Sequence, residues 1–137
     1  MALITFDDKV TNIPLPMSYD FQTDTASGEK TLYHYYTVSG DGFVIVSASV
    51  ITDSTSSYGS SYGYINQKGV NDSAYTTIVY NYNRLPSSLG QAQGVSMTAG
   101  IQVSDGDTLQ MRITQTKGGS KTFMYSCLCY GCTVTYS

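Results

Sequence analysis

The sole histidine of the chain is the first residue that could support catalysis. His34 lies in Leu32-Tyr33-His34-Tyr35-Tyr36, and on an alternating strand its side chain shares a face with Leu32 and Tyr36. A general base in acyl transfer needs a nucleophile and an orienting acid beside it, and the residues around His34 in the sequence specify neither. We therefore expect His34 to be a hydrogen-bonded residue of a sheet or an interface.

Three cysteines fall close together near the end of the chain, as Cys127, Cys129 and Cys132. With His34 they would supply the four ligands of a tetrahedral zinc site, but no second pair with zinc spacing is present. On a strand, Cys127 and Cys129 point to one face, and Gly131 allows a bulge that redirects Cys132. Buried reduced thiols are the favoured interpretation, and one disulfide or a metal site are the alternatives.

The carboxylates follow the pattern of turns rather than of a reaction centre. Glu29 is the only glutamate, and Asp41, Asp105 and Asp107 each stand beside a glycine, where an Asp side chain can bond to the local backbone. No Asp-x-Asp-x-Asp-Gly calcium series occurs. We therefore assign no catalytic residue, no metal and no cofactor.

Tyrosine is the residue type that most indicates binding, with 13 copies in the chain. Tyrosine suits surfaces that are dry at one end and wet at the other. Tyr62 and Tyr64 share a strand face, as do Tyr80 and Tyr82. Ordinary strand propensity, a subunit interface and a platform for sugar stacking are the three explanations.

Composition excludes some classes of partner. Only 12% of the 137 residues are charged and the net charge is −3, whereas about 25% is typical of globular domains. Without a basic block, neither nucleic acid nor an anionic membrane is favoured as a partner. No apolar stretch is long enough to insert into a membrane, and the first residues lack a secretory signal. We expect a cytosolically made protein.

Strand signals dominate the chain and predict an all-β protein with about eight strands. Residues 42–51 are apolar on both alternating faces, which predicts a central strand buried between layers. Apolar residues alternate with polar or small ones in Val95–Ile101 and in Leu109–Ile113, which predicts two further strands, each with one face toward solvent. The Asp105-Gly106 step between them predicts a hairpin turn and hence an antiparallel pair. The remaining predicted strands are Leu32–Val38, Tyr62–Gln67, Tyr75–Tyr82, Thr122–Cys129 and Cys132–Tyr136.

Three segments, taken in order, resemble the complement first-component head and tumour necrosis factor superfamily. They are residues 36–48, residues 100–111 with their Gly-Asp turn, and residues 129–136 with their closing aromatic. This resemblance implies a trimeric antiparallel jelly-roll sandwich of about 8–10 strands that binds partners without catalysis. The same head occurs in bacterial spore-surface proteins and at the tips of phage fibres. This chain carries no collagen-like stalk.

We accordingly interpret residues 1–137 as one jelly-roll domain, with a lead-in and first strand in 1–30 and the main sandwich in 31–137. The leading hypothesis is a non-enzymatic homotrimeric head of a phage or bacterial surface fibre, located in a virion or bacterial surface assembly, that binds a cell-surface glycan or protein receptor. A stand-alone carbohydrate-binding module is the alternative, and a small sandwich-fold hydrolase is a third class. Candidate trimer-interface residues are Tyr62, Tyr64, Met111 and Tyr136, and candidate ligand-binding residues are Tyr58, Asn71, Asp72 and Asn83.

Overall fold

The protein is an all-β sandwich of two antiparallel sheets. The computed structural model describes residues 17–52, 59–85, 93–116 and 120–137. The strands in these residues are β1 (Met17–Ser27), β2 (Lys30–Ser39), β3 (Gly42–Thr52), β4 (Gly59–Lys68), β5 (Thr76–Leu85), β6 (Gln93–Val103), β7 (Thr108–Gln115), β8 (Ser120–Tyr130) and β9 (Thr133–Tyr136). The first part of the predicted lead-in, residues 1–16, lies outside the described residues.

The order of the strands is that of a jelly roll. One sheet has the order β1-β8-β3-β6 and the other has the order β5-β4-β7-β2-β9. The first strand pairs with the eighth, the second with the seventh, the third with the sixth and the fourth with the fifth, all antiparallel. This nesting is what a long hairpin produces when it rolls into two facing layers, and it confirms the predicted fold class.

The core fills the space between the two sheets, because alternate residues of the central strands point inward. Val95, Met97, Ala99 and Ile101 on β6 are all at most 6% exposed, and Leu109, Met111 and Ile113 on β7 are 0% exposed. Both inward faces were predicted from alternation alone. The described residues contain no helix with the length and hydropathy needed to cross a membrane.

The predicted pairing of β6 with β7 is wrong. The turn at residues 104–107 exists, with Gly106 at a φ of +85° and the Asp107 amide donating to the Ser104 carbonyl at 3.0 Å. It carries the chain from one sheet to the other, however, so β7 pairs with β2 and β4 instead. The turn chemistry was identified correctly, but it does not determine which sheet receives the next strand.

The expectation that β3 is buried on both faces is also wrong for the single protomer. The strand is internal to its sheet, between β8 and β6, and Val44, Val46 and Val50 are fully buried. On the opposite face, Phe43 is 38% exposed and Ile51 is 43% exposed. A two-layer sandwich leaves the outer side of each sheet uncovered, and this apolar side is therefore exposed to solvent.

Candidate functional site

His34 lies on β2 near one edge of the sandwich, where β1 and β9 are the edge strands of the two sheets. Its ring stacks on Tyr125 with centroids 3.7 Å apart, and its Nδ1 is hydrogen-bonded to the Tyr136 hydroxyl. Burial lowers the pKa of His34, and the charge of Asp24 opposes part of that effect. In the described residues His34 bonds to a tyrosine and not to a Ser and an Asp together, so the geometry expected of a hydrolase triad is not formed there.

The three cysteines are buried and unbridged, and they pack as part of the hydrophobic core. The sulfur atoms of Cys127 and Cys129 are 3.7 Å apart, because residues two apart on a strand share a face. The hydrogen bond between them and burial both raise the pKa of Cys127, and burial raises that of Cys132. Within the described ranges, no three His, Cys, Asp or Glu side chains are arranged to hold a metal ion.

The outer side of the five-stranded sheet carries six tyrosines, and we call this surface the tyrosine face. The strand register places Tyr33 opposite Arg112, Arg112 opposite Tyr64, and Tyr64 opposite Tyr80. The next row aligns Tyr62 with Tyr82. The members of the tyrosine face are Tyr33, Tyr35, Tyr62, Tyr64, Tyr80 and Tyr82, together with Arg112, Gln110 and Asn66.

Ring contacts hold the tyrosine face in a defined arrangement. Tyr64 and Tyr80 have centroids 4.8 Å apart, and Tyr62 and Tyr82 stack at 6.4 Å. The Arg112 guanidinium carbon lies 5.5 Å from the ring centroid of Tyr64 and 5.6 Å from that of Tyr33. Half of each of the Tyr33, Tyr80 and Tyr82 side chains remains exposed. Aromatic surface of this kind is typical of binding faces.

The outer side of the four-stranded sheet is different in character, and we call it the neutral face. It comprises every second residue of Tyr19–Thr25, Thr122–Tyr130, Phe43–Ile51 and Gly94–Gln102. None of these described positions is charged, because the Asp and Lys residues of this sheet, Asp20, Asp24 and Lys121, lie on inward positions. The neutral face exposes 64% of Tyr19 and 51% of Phe21.

One end of the neutral face is apolar. Tyr19, Leu128, Ile45 and Gly100 form one row across all four strands. The ring of Phe43 lies over Gly100, where an added Cβ would stand 2.8 Å from the ring tip. The absence of a side chain at Gly100 leaves room for this ring over the sheet.

The predicted interface residues separate into two groups. Tyr62 and Tyr64 are half-buried on the tyrosine face and are accessible to a partner. Met111 is 0% exposed between the sheets, and its inward position on β7 removes it from the candidates for a surface contact. Tyr136 is half-buried and packs on the core beside Tyr36 and His34, so most of its ring serves the protomer itself.

The predicted ligand-binding residues do not form one site. Asn71 and Asp72 lie in the turn between β4 and β5, where the Asp72 carboxylate accepts the Gly69 amide at 2.9 Å. Asn83 lies near the other end of β5, about 23 Å beyond its first residue, Thr76, at the rise of a strand, and its amide donates to the Gly94 carbonyl at 2.8 Å. Tyr58 lies outside the described residues.

Arg112 and its neighbours were not among the predicted site residues. Alternation placed Arg112 on the wet face of β7, which the structure confirms. The sequence could not show that β7 lies between β2 and β4, and this placement is what puts Arg112 between two tyrosines.

Comparison with known proteins gives distant structural likenesses only. No protein-family model matches the chain, and no curated protein matches it. Among solved structures, an Eiger TNF from S. frugiperda is similar at 11% identity and a TM-score of 0.40 over 64% of this chain and 60% of that chain. The structure of infectious bursal disease virus Gx strain is similar at 11% identity and a TM-score of 0.46, and T=1 particles derived from that virus are similar at 12% and 0.45.

Both viral likenesses cover 99% of this chain. This chain spans 44% and 42% of the two viral chains, so those proteins contain much that this chain does not match. Likeness at this distance carries no information on activity or partners. The fold itself rests on the strand order and register: the chain is an antiparallel jelly-roll sandwich.

Proposed function

We propose that the protein is a non-enzymatic jelly-roll module that assembles as a homotrimer through its neutral face and presents a binding surface to a partner. The observation that carries this proposal is the absence of charge from every described outward position of the four-stranded sheet. Covering such a surface requires no ion to be desolvated, whereas burying a charge costs several kcal/mol unless it is paired.

The neutral face is better suited to self-association than the tyrosine face. The described outward positions of the five-stranded sheet include the basic residues Lys68, Arg84 and Arg112 and no Asp or Glu. Around a threefold axis the same basic residue occurs three times at close range, and like charges repel. The neutral face brings no such repulsion, and its half-exposed aromatic side chains gain from burial.

Light scattering at micromolar concentration tests the assembly. A species with three times the protomer mass supports the proposal, and a stable monomer refutes it. Substitutions on the two sheet faces then determine which face is covered, as developed in the Discussion.

We further propose that the protein is the tip or another structural part of a phage or bacterial surface fibre. The resemblance in strand order supports this role, because heads of that superfamily occur at such tips. The genes flanking its gene are the test: neighbouring tail, capsid or spore-coat genes are expected. Flanking genes of polysaccharide metabolism alone would favour the carbohydrate-binding alternative.

A second candidate function, carbohydrate binding, is favoured by the tyrosine face. Tyrosine rings on a sheet surface offer flat apolar patches whose edges carry hydroxyl groups, and sugar-binding sites combine these two properties. This function is compatible with the trimer, because the two surfaces lie on opposite sides of the sandwich.

A further inference from the structure

Arg112 occupies the middle of the tyrosine face, on the strand between β2 and β4. Its Nε is buried and has no hydrogen-bond partner, and within the described residues no carboxylate forms an ion pair with it. The guanidinium lies between the rings of Tyr33 and Tyr64. Water can solvate only part of a cation held in this way, and a planar carboxylate is the partner that guanidinium geometry fits best.

The surrounding strands strengthen the preference for an anion. The chain carries a net charge of −3, yet the ionisable Asp, Glu, Lys and Arg residues in the described strands of this sheet are all basic. Lys68 stands at one end of the sheet with its ammonium 5.0 Å from the ring centroid of Tyr75. The charged residues on the outward strand positions of this sheet, Lys68, Arg84 and Arg112, are therefore all positive in a chain that is negative overall, and this favours a negatively charged partner on this side.

Beside Arg112 lies a row of amide and hydroxyl groups. Asn66 donates to the Gln110 side chain at 2.8 Å, and Gln110 donates to the Tyr35 hydroxyl at 3.2 Å. Asn66 is only 8% exposed, and its Oδ1 is buried and has no hydrogen-bond partner. Because that oxygen is closed to solvent, the groups of this row that a ligand hydroxyl can reach are the half-buried Gln110 and Tyr35.

Together these groups specify one chemical class of ligand. The Arg112 guanidinium fits a carboxylate, Gln110 and Tyr35 offer hydrogen bonds to ligand hydroxyl groups, and the rings of Tyr64 and Tyr80 offer contact to the apolar side of a sugar ring. A sugar that carries a carboxylate combines all three. We propose that the tyrosine face binds a carboxylated glycan, with its carboxylate on Arg112 and its sugar rings against the tyrosines.

This inference deepens the carbohydrate-binding candidate and rests on it, but it does not depend on the trimer. Calorimetry on the full chain at low salt tests it with matched probes: oligogalacturonate against its methyl ester, and sialyllactose against lactose. We expect at least one acidic probe to bind and its neutral counterpart to bind at least tenfold more weakly.

Variants of the full chain locate the contact. Arg112→Gln is expected to weaken binding of the acidic probe about tenfold or more, since a hydrogen bond to a charged group is lost. Lys30→Gln is the matched control, because it removes one positive charge from the same sheet at a position whose strand partner, Gln115, faces inward. Circular dichroism of both variants verifies that they are folded.

Four results would overturn the inference. Three of them are equal binding of acidic and neutral sugars, unchanged binding by folded Arg112→Gln, and no binding of either acidic probe at millimolar concentration. The fourth is capture of poly-glutamate without either acidic sugar, which would favour an acidic protein partner. The mass of the same samples by light scattering separates this outcome from failure of the trimer, since a monomer that still binds the acidic probe contradicts only the assembly.

Discussion

Replacing Phe21 by aspartate is predicted to dissociate the trimer. Phe21 lies on the outer side of edge strand β1 and is 51% exposed in the protomer. An aromatic side chain buries about 200 Å², so about 100 Å² remains to be covered by a partner. At about 25 cal/mol per Å² this contributes about 2.5 kcal/mol per protomer, or roughly 7 kcal/mol for three protomers. The aspartate adds the cost of an unpaired buried charge.

The matched control is Tyr82→Asp. Tyr82 is 52% exposed and lies on the outer side of the other sheet's edge strand, β5. Both substitutions remove a similar exposed aromatic and add one negative charge, so they differ mainly in the face that they alter. Size-exclusion chromatography with light scattering should give a monomer for Phe21→Asp and an unchanged trimer for Tyr82→Asp.

The reverse pattern would refute the assignment of the interface. If Tyr82→Asp dissociates the assembly and Phe21→Asp does not, the tyrosine face is the covered surface, as the predicted interface residues Tyr62 and Tyr64 would require. Thermal unfolding of both variants distinguishes loss of assembly from loss of the fold, because both positions are surface positions of the protomer.

Three further outcomes are expected. Burial lowers the pKa of His34, so the unfolded chain takes up a proton at this residue before the folded chain does, and the free energy of unfolding should fall as the pH drops below 6.5. In an NMR titration the single histidine signal should have its midpoint below 6.5. A midpoint at or above that value contradicts the packing. Gly42→Ala should lower the free energy of unfolding in chemical denaturation by about 2 kcal/mol or more, because its Cβ would stand 2.2 Å from the Tyr130 carbonyl oxygen. Gly100→Ala should lower it less, because its Cβ meets only the movable ring of Phe43. Equal losses would show that the backbone at Gly42 can shift. The three cysteines should react with a thiol reagent only after denaturation, since all are buried; rapid labelling of the native protein contradicts this.

The sequence predicted the elements better than their partners. Alternation identified the inward residues of β6 and β7, because side-chain direction has a period of two along any strand. It could not show that these strands lie in different sheets, since pairing depends on contacts far along the chain. The same gap led to Met111 being proposed for an interface, although its alternation with Arg112 already placed the two residues on opposite faces.

The candidate sites depend on register, which single-strand patterns do not contain. The wet position of Arg112 was predictable, but its place between Tyr33 and Tyr64 follows only from the order β4-β7-β2. The apolar outer positions of β3 led to an expectation of burial on both sides. In one protomer Phe43 and Ile51 are exposed, and a neighbouring protomer on the neutral face would supply the missing second layer.

The mass of the purified chain at micromolar concentration tests the central claim most directly. Light scattering is predicted to give three times the protomer mass of 14.9 kDa, unchanged by salt because the neutral face contains no ion pairs to screen. A single species of 14.9 kDa at the same concentration would contradict the account.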